Sequence, residues 1–472
     1  MLAADVCVRN SRSAELGLSR AILRTRSQEV GWWRSLTRCC EWAMVAIAIS
    51  AGLFVPEARA KSDLRESDTR TDRIEALQAT LLERDTLFHA ITALVPSALS
   101  RAAELDRRFG SDSAGPLDRL TIAVKANIDL EEVPANAGAK FERKTVAMDA
   151  PVVMRIRDAG GIVVAVTNMD TWARGTATVS QLNGSTGNAW NARRSPYGSS
   201  GGASVAVARG FVDAAIGTDT CGSLRLPATA NGVFGLRPTA GAVSRSGVIP
   251  LSPTQDVVGP IARNVEVLGR VFSAIRGAET GDPLTLQPAA PPRRRRTGRI
   301  GVLRSMGGVS TSSEAPLAVL ERSGITAISG ASKGLVQANV IEDEFRAATE
   351  AWLSGQSFLD GHLDVPDPVG YRARLADRER LRSALISIMD IYHLDALVYP
   401  TTTAPPGLRG EQQTTANCWI AADSGLPALA VPGKIVNSFP AVGVDLLGRP
   451  FDESTLFELA GRLPAARTPP GV

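Results

Sequence analysis

Two glycine- and serine-rich stretches bracket one apolar segment near the middle of this chain, and they constrain it more than any other feature. The first is Gly198-Ser199-Ser200-Gly201-Gly202, and the second is Gly217-Thr218-Asp219-Thr220-Cys221-Gly222-Ser223-Leu224-Arg225. Between them, residues 203–209 read as a helix opening on a glycine-rich turn, where the helix dipole leaves positive character. Residues 211–216 read as a strand that delivers the second stretch. Glycine permits tight turns and close approach of a substrate carbonyl to the backbone. Serines on such turns point to nucleophilic chemistry.

A serine hydroxyl is a poor nucleophile until a base takes its proton. The usual base is histidine, and this chain holds only His89, His362 and His393. None lies between residues 89 and 362, the interval that contains both serine stretches. Triads assemble in space, so spacing alone leaves a distant histidine open, but no local feature supports one. A lysine serves instead when burial or positive neighbours keep it partly neutral. Lys125 ends the short apolar run Ile122-Ala123-Val124, a strand-like setting where such burial is expected. The backbone N–H groups of Thr220, Cys221, Gly222 and Ser223 are the candidate oxyanion-hole donors. The candidate catalytic residues are therefore Lys125, Ser199 and Ser223.

These blocks resemble the amidase signature family, serine hydrolases that cleave amide bonds with a Ser-Ser-Lys triad. Gly198 to Gly202 matches the family's Gly-Ser-Ser-Gly-Gly block. Gly217 to Arg225 matches its Gly-Thr-Asp-x-Gly-Gly-Ser-x-Arg block, with Cys221 in place of the first glycine of the pair. The resemblance implies that Ser223 is the acylated nucleophile, that Ser199 is a bridging serine held in a cis peptide, and that Lys125 is the terminal base. It also implies the fold: α/β, a mixed central β-sheet covered by helices on both faces. Ser200, Asp219, Arg225 and Asn168 are candidate supporting residues. For Asp219, Arg225 and Asn168 a structural role is the favoured expectation, and a cysteine nucleophile at Cys221 is disfavoured. Two departures stand out. Ala126 follows the lysine where the family has an acid, and Val166 precedes Thr167-Asn168-Met169 where the family has a lysine.

Composition excludes several function classes. The formal net charge of the 472 residues is only +4, and the first 60 residues hold eight arginines against five acids. The remainder is nearly neutral, so no nucleic-acid surface is expected. The dense Arg293–Arg296 run follows Pro291-Pro292 and reads as an exposed linker. Residues 42–55 form an apolar run after Arg34 and Arg38, and it ends in an Ala-x-Ala pattern at Ala60. This is the pattern of a secretory signal peptide cleaved after Ala60, the rival being an uncleaved membrane anchor. Cys7, Cys39 and Cys40 would leave with such a leader. Cys221 and Cys418 would remain, and the sequence leaves a bond between them open.

The expected organisation is a leader or anchor over 1–60, a linker over 61–71 and one amidase domain over 72–465. Within it, the catalytic core spans about 115–277 and a variable substrate-pocket region about 298–392. Helices are expected over 72–82, 96–109, 152–159, 264–275, 342–353, 371–391, 416–424 and 453–463. Those at 342–353 and 371–391 are expected to wall an acyl pocket. The expected activity is hydrolysis of a small linear or peptide-like amide to an acid and ammonia or an amine, without cofactor or metal. The expected partner is that small molecule, with membrane association only through the N-terminal segment, an exported location and no assigned oligomeric state. Three alternatives stand beside it: an amidotransferase component of the same fold, which the leader opposes; an esterase or aryl-acylamidase on the same triad; and an inactive exported binding protein, which the departures at Ala126 and Val166 motivate and the intact serines oppose.

Overall fold

The computed structural model describes residues 69–141, 146–286, 298–303, 335–356, 358–359, 363–415, 417–436, 438–440, 442–462 and 469. All of them fall in the compact unit Arg59–Val472. The expected leader, the Arg293–Arg296 run and the 307–333 stretch lie outside the described residues.

Helix α1 (Arg70–Arg84) starts where Thr69 and Asp72 close a capping box. The Asp72 N–H donates to Thr69 Oγ1 at 3.1 Å and the Thr69 N–H to Asp72 Oδ2 at 2.9 Å, which satisfies two otherwise orphaned donors. Its Ile74, Leu77 and Leu81 stripe is buried. Strand β1 (Ile91–Leu94) and helix α2 (Ala98–Phe109) follow. Buried Arg70 donates to Asp106 of α2 and to Asp118, joining the two helices to the core.

The functional part of the fold begins with β2 (Thr121–Lys125), α3 (Pro151–Asp158) and β3 (Ile162–Thr167). The strands pair in parallel, as a crossover through a helix requires. A short hairpin of β4 (Val179–Ser180) and β5 (Gly184–Ser185) precedes α4 (Gly201–Ala208), and β6 (Ala214–Asp219) then pairs in parallel with the other side of β2. The sequence pattern predicts that this strand starts at Phe211. Instead the Phe211 and Val212 N–H groups both donate to Ala206 O at the end of α4. Their apolar side chains are buried at the helix exit, and the strand itself runs three residues further, to Asp219.

The chain continues through α5 (Arg225–Asn231), β7 (Phe234–Arg237), β8 (Val257–Ala262) and α6 (Val265–Ile275), whose N-cap is Asn264. Then come β9 (Ile300–Val302), α7 (Ile341–Leu353), α8 (Pro368–Ile391), β10 (Ala396–Pro400) and α9 (Trp419–Ser424). The last elements are β11 (Ala428–Val431), the small pair β12 (Ile435–Val436) and β13 (Phe439–Pro440), β14 (Val444–Leu447) and α10 (Glu453–Gly461). Ten strands form one sheet in the order β1-β3-β2-β6-β8-β7-β11-β14-β10-β9. It is mixed: β2, β3 and β6 run parallel, β10 and β9 run parallel, and the remaining neighbours are antiparallel. This is the helix-covered α/β sheet that the sequence implied. Among the described residues, no helix is long and apolar enough to cross a membrane.

Three glycines shape the sheet beneath the second serine stretch. A Cβ on Gly217 or Gly259 would press on the Leu224 side chain, and one on Gly235 would lie 2.9 Å from Leu224 O. Their bare backbone lets Leu224, the residue after Ser223, sink onto the sheet. Gly259→Ala should therefore be poorly tolerated, because its Cβ would also meet the Leu236 carbonyl oxygen. We expect a stability loss of about 1–3 kcal/mol in urea unfolding, with a parallel loss of activity because the 220–224 turn is lifted.

Candidate active site

Lys125, Thr167 and Asp219 end strands β2, β3 and β6, so all three sit at the carboxyl edge of the parallel strands. Such edges are where open α/β sheets place their sites. The β2 backbone carries Lys125 fully out of solvent. Its Nζ lies 2.8 Å from Ser199 Oγ and 2.8 Å from Thr218 Oγ1. Thr218 Oγ1 also accepts from Asn127 Nδ2 at 3.1 Å. The lysine and the first serine thus meet across 74 residues of sequence.

Burial disfavours the ammonium form. The carboxylates of Asp170, Asp219 and Asp256 oppose this without reversing it, and the Lys125 pKa is pushed down to about 7. A lysine in this state is a competent acceptor of a proton near neutrality.

Ser199 is buried, and the Gly198–Ser199 peptide is cis. Asp170 builds the cradle around it. Its carboxylate accepts from the Thr178 N–H at 2.8 Å, the Val179 N–H at 3.0 Å and the Ala177 N–H at 3.2 Å. Its own N–H donates to Ser199 O at 3.3 Å. Any Cβ at residue 198 would meet Asp170 Oδ2, which accounts for the glycine there. Ser200 serves the same loop: its N–H donates to Ser223 O at 3.2 Å and its hydroxyl to Thr218 O at 3.1 Å. The two serine stretches are therefore joined directly, backbone to backbone.

Ser223 stands between β6 and α5, 6% exposed, and its hydroxyl has no hydrogen-bond partner among the described residues. Asp219 fixes the turn before it. Asp219 Oδ1 accepts from the Gly222 N–H at 2.8 Å, and Oδ2 from the Leu224 N–H at 3.1 Å. Burial alone would raise this carboxyl, but the guanidiniums of Arg225 and Arg237 more than offset it and hold Asp219 well below the usual carboxylate range. Arg225 also pairs with buried Asp445 of β14 and donates to Cys418 O at 3.0 Å. Through these contacts Asp219 and Arg225 hold the turn in place. Asn168 likewise ties loops, donating to Gly184 O at 3.1 Å and Thr186 Oγ1 at 3.0 Å.

One expectation needs correction. The Gly222 N–H is not free to serve as an oxyanion-hole donor, because it is committed to Asp219. The N–H groups of Thr220, Cys221 and Ser223 carry no partner within the chain among the described residues. On the far side of the turn, Thr220 Oγ1 donates to Asp256 Oδ1 at 2.6 Å, and Asp256 is itself held by the Leu251 and Ser252 N–H groups.

Several site residues carry no signal that sequence reasoning could use. Asp170 lies two residues past Asn168 but acts on a loop almost thirty residues on. The sequence around Asp256, Arg237 and Asp445 does not show that they meet Thr220, Asp219 and Arg225. Cys221 and Cys418 form a disulfide across 197 residues. The two departures do no visible damage. Ala126 is fixed through its backbone, which donates to Thr167 O at 3.2 Å and accepts from the Asn136 and Ala137 N–H groups at 2.9 Å. Val166 is buried in β3 opposite Val124. Neither removes an atom from the Lys125–Ser199 contact. Among the described residues no group of His, Cys, Asp and Glu is placed to hold a metal ion.

The depressed lysine has a consequence for stability. Between about pH 7 and its ordinary value of 10.5, Lys125 binds a proton in the unfolded chain and not in the native one. Stability must then rise with pH across that window. Comparing urea unfolding of wild type and Lys125→Met at several pH values should show this rising component in the wild type only.

Comparisons with known proteins agree with this architecture. The Amidase family model matches residues 72–330. A glutamyl-tRNA(Gln) amidotransferase subunit from Symbiobacterium thermophilum is 31% identical over 429 residues, covering 78% of this chain and 88% of that protein. Its counterpart from Methanothermobacter thermautotrophicus is 31% identical over 403 residues, covering 76% and 87%. Among solved structures, native peptide amidase from Stenotrophomonas maltophilia superposes with a TM-score of 0.70 at 29% identity, covering 85% of this chain and 95% of that one. The chain therefore belongs to the amidase family, the amidase-signature enzymes, and is an amide-cleaving enzyme.

Proposed function

We propose that this enzyme hydrolyses a small linear or peptide-like amide through an acyl-enzyme on Ser223. The observation that carries the reading is the 2.8 Å contact between two fully buried side chains, Lys125 and Ser199. With substrate bound, the Ser223 hydroxyl turns to Ser199, and neutral Lys125 takes the proton of Ser199 as Ser199 takes that of Ser223. The freed Ser223 Oγ attacks the amide carbonyl carbon. The oxyanion that forms is met by the N–H groups of Thr220, Cys221 and Ser223. The relay then runs backward: the C–N bond breaks, the leaving nitrogen takes the proton and departs as ammonia or an amine. Water repeats the cycle on the ester and releases the acid. Asp170 and Asp219 act by positioning the two serine loops.

The likeness to peptide amidase supports a peptide-like amide, and the likeness to the amidotransferase proteins supports a second reading, ammonia delivery to a partner. The Cys221–Cys418 bond favours the first. Disulfides persist in oxidising compartments outside the cytosol, where the apolar run and Ala-x-Ala pattern near Ala60 would direct the chain. A partner protein that co-purifies and accepts the ammonia would decide for the second reading.

The test is release of ammonia or amine from a panel of peptide amides and matched esters, with intact mass after fluorophosphonate treatment. Wild type should turn over amides and gain one adduct. Ser223→Ala should gain none and lose at least about 10⁴-fold in kcat, and Ser199→Ala and Lys125→Ala about 10²–10⁴-fold. In the wild type, kcat/KM should rise with pH as a single ionisation near pH 7, where Lys125 loses its proton. A folded wild type with neither adduct nor turnover on the whole panel would refute the reading.

A further inference from the structure

The 220–223 turn must present backbone donors to an oxyanion, so its geometry has to be held by the groups around it. It holds Gly222 at φ +91, and three of its N–H groups bond to nothing within the described chain. It is held by the Asp219 carboxylate, by Asp256 through the Thr220 hydroxyl, by the Ser200 N–H on Ser223 O and the Leu226 N–H on Gly222 O, and by one covalent link. That link is Cys221–Cys418. Cys221 sits in the turn itself, two residues before Ser223.

Its partner is firmly held. Cys418 is 5% exposed and caps α9. Its N–H donates to Thr415 O at 2.8 Å, and its carbonyl accepts from Ala422 N and from Arg225 Nη2. Arg225 in turn is locked between Asp219 and Asp445. The turn and the anchor are close enough that a Cβ on Gly222 would stand 3.0 Å from Cys418 Cβ. Cys221 is half-buried, whereas Cys418 is buried.

We propose that the Cys221–Cys418 disulfide is a positioning element for the oxyanion donors of the enzyme, and that its reduction reversibly lowers turnover. This rests on the reading of Ser223 as the nucleophile. Reduction by a dithiol is a two-electron step. A thiolate of the reductant attacks Cys221 Sγ, the S–S bond breaks, and Cys418 leaves as a thiolate that takes a proton. The second thiol of the reductant then closes a cyclic disulfide and releases Cys221. The turn keeps its hydrogen bonds but loses the link to α9, so the N–H groups of Cys221 and Ser223 are no longer fixed for the transition state. Substrate binding away from the carbonyl is untouched.

The test is steady-state kinetics of the full chain before and after dithiothreitol, with thiol titration to show two new thiols, circular dichroism to follow the fold, and reoxidation. We expect kcat to fall at least about tenfold, since removing a single oxyanion donor outright costs about 10²–10³. KM should stay within about twofold, and activity should return on reoxidation. Cys221→Ser/Cys418→Ser should match the reduced enzyme and ignore dithiothreitol. A reduced, folded enzyme that keeps its kcat overturns the inference and leaves the amidase reading standing. Loss of the folded signal on reduction, with kcat and KM lost together, also overturns it, because the bond would then be a general staple. Absence of turnover in the oxidised enzyme overturns the amidase reading, and the inference with it.

Discussion

A lysine kept from water beside a serine hydroxyl is the constraint on which the rest of this structure depends. Left exposed, Lys125 would be an ammonium ion at neutral pH and of no use as a base. Burial changes its proton affinity, and the fold is arranged to bury it: β2 ends between β3 and β6, and the Ser199 and Ser223 loops close over the strand ends. Three buried carboxylates surround this point without pairing to the amine. Each is engaged elsewhere, Asp170 with backbone N–H groups, Asp256 with Thr220, and Asp219 with two arginines. They hold the loops and leave the lysine its depressed affinity.

The same residues divide the labour between rigidity and access. Asp219, Arg225, Arg237 and Asp445 form a fully buried ionic cluster beneath the Ser223 turn. Removing one partner from such a cluster leaves an uncompensated charge and costs about 3–5 kcal/mol, so this part of the site is anchored to the core of the protein. Above it, three N–H groups of the turn and the Ser223 hydroxyl have no hydrogen-bond partner among the described residues. In the proposed reaction those are the groups that meet the substrate.

Local motifs make part of this legible. The Gly-Ser blocks and the apolar run before Lys125 point to the three candidate catalytic residues, and the apolar periodicities place most helices within a few residues. What stays hidden is of two kinds. Contacts between distant residues carry no local signature, so Asp170 under Ser199, Asp445 beside Arg225 and Cys418 bonded to Cys221 are not visible. Apolar residues that finish a helix look like the start of a strand, so the pattern sets the start of β6 three residues early. The Gly222 correction has a similar origin. Sequence shows that a turn holds four N–H groups, and only the fold shows that a neighbouring carboxylate claims one.

The central claim is that burial leaves Lys125 neutral near physiological pH. The chain has only six lysines, so ¹³Cε-lysine NMR can resolve their titrations one by one, with Lys125→Met assigning the signal. The account expects one resonance to titrate near pH 7 and to vanish in the variant, while the others titrate near about 10.4. A Lys125 signal that titrates with the others would contradict it, and the base of this enzyme would have to be sought elsewhere.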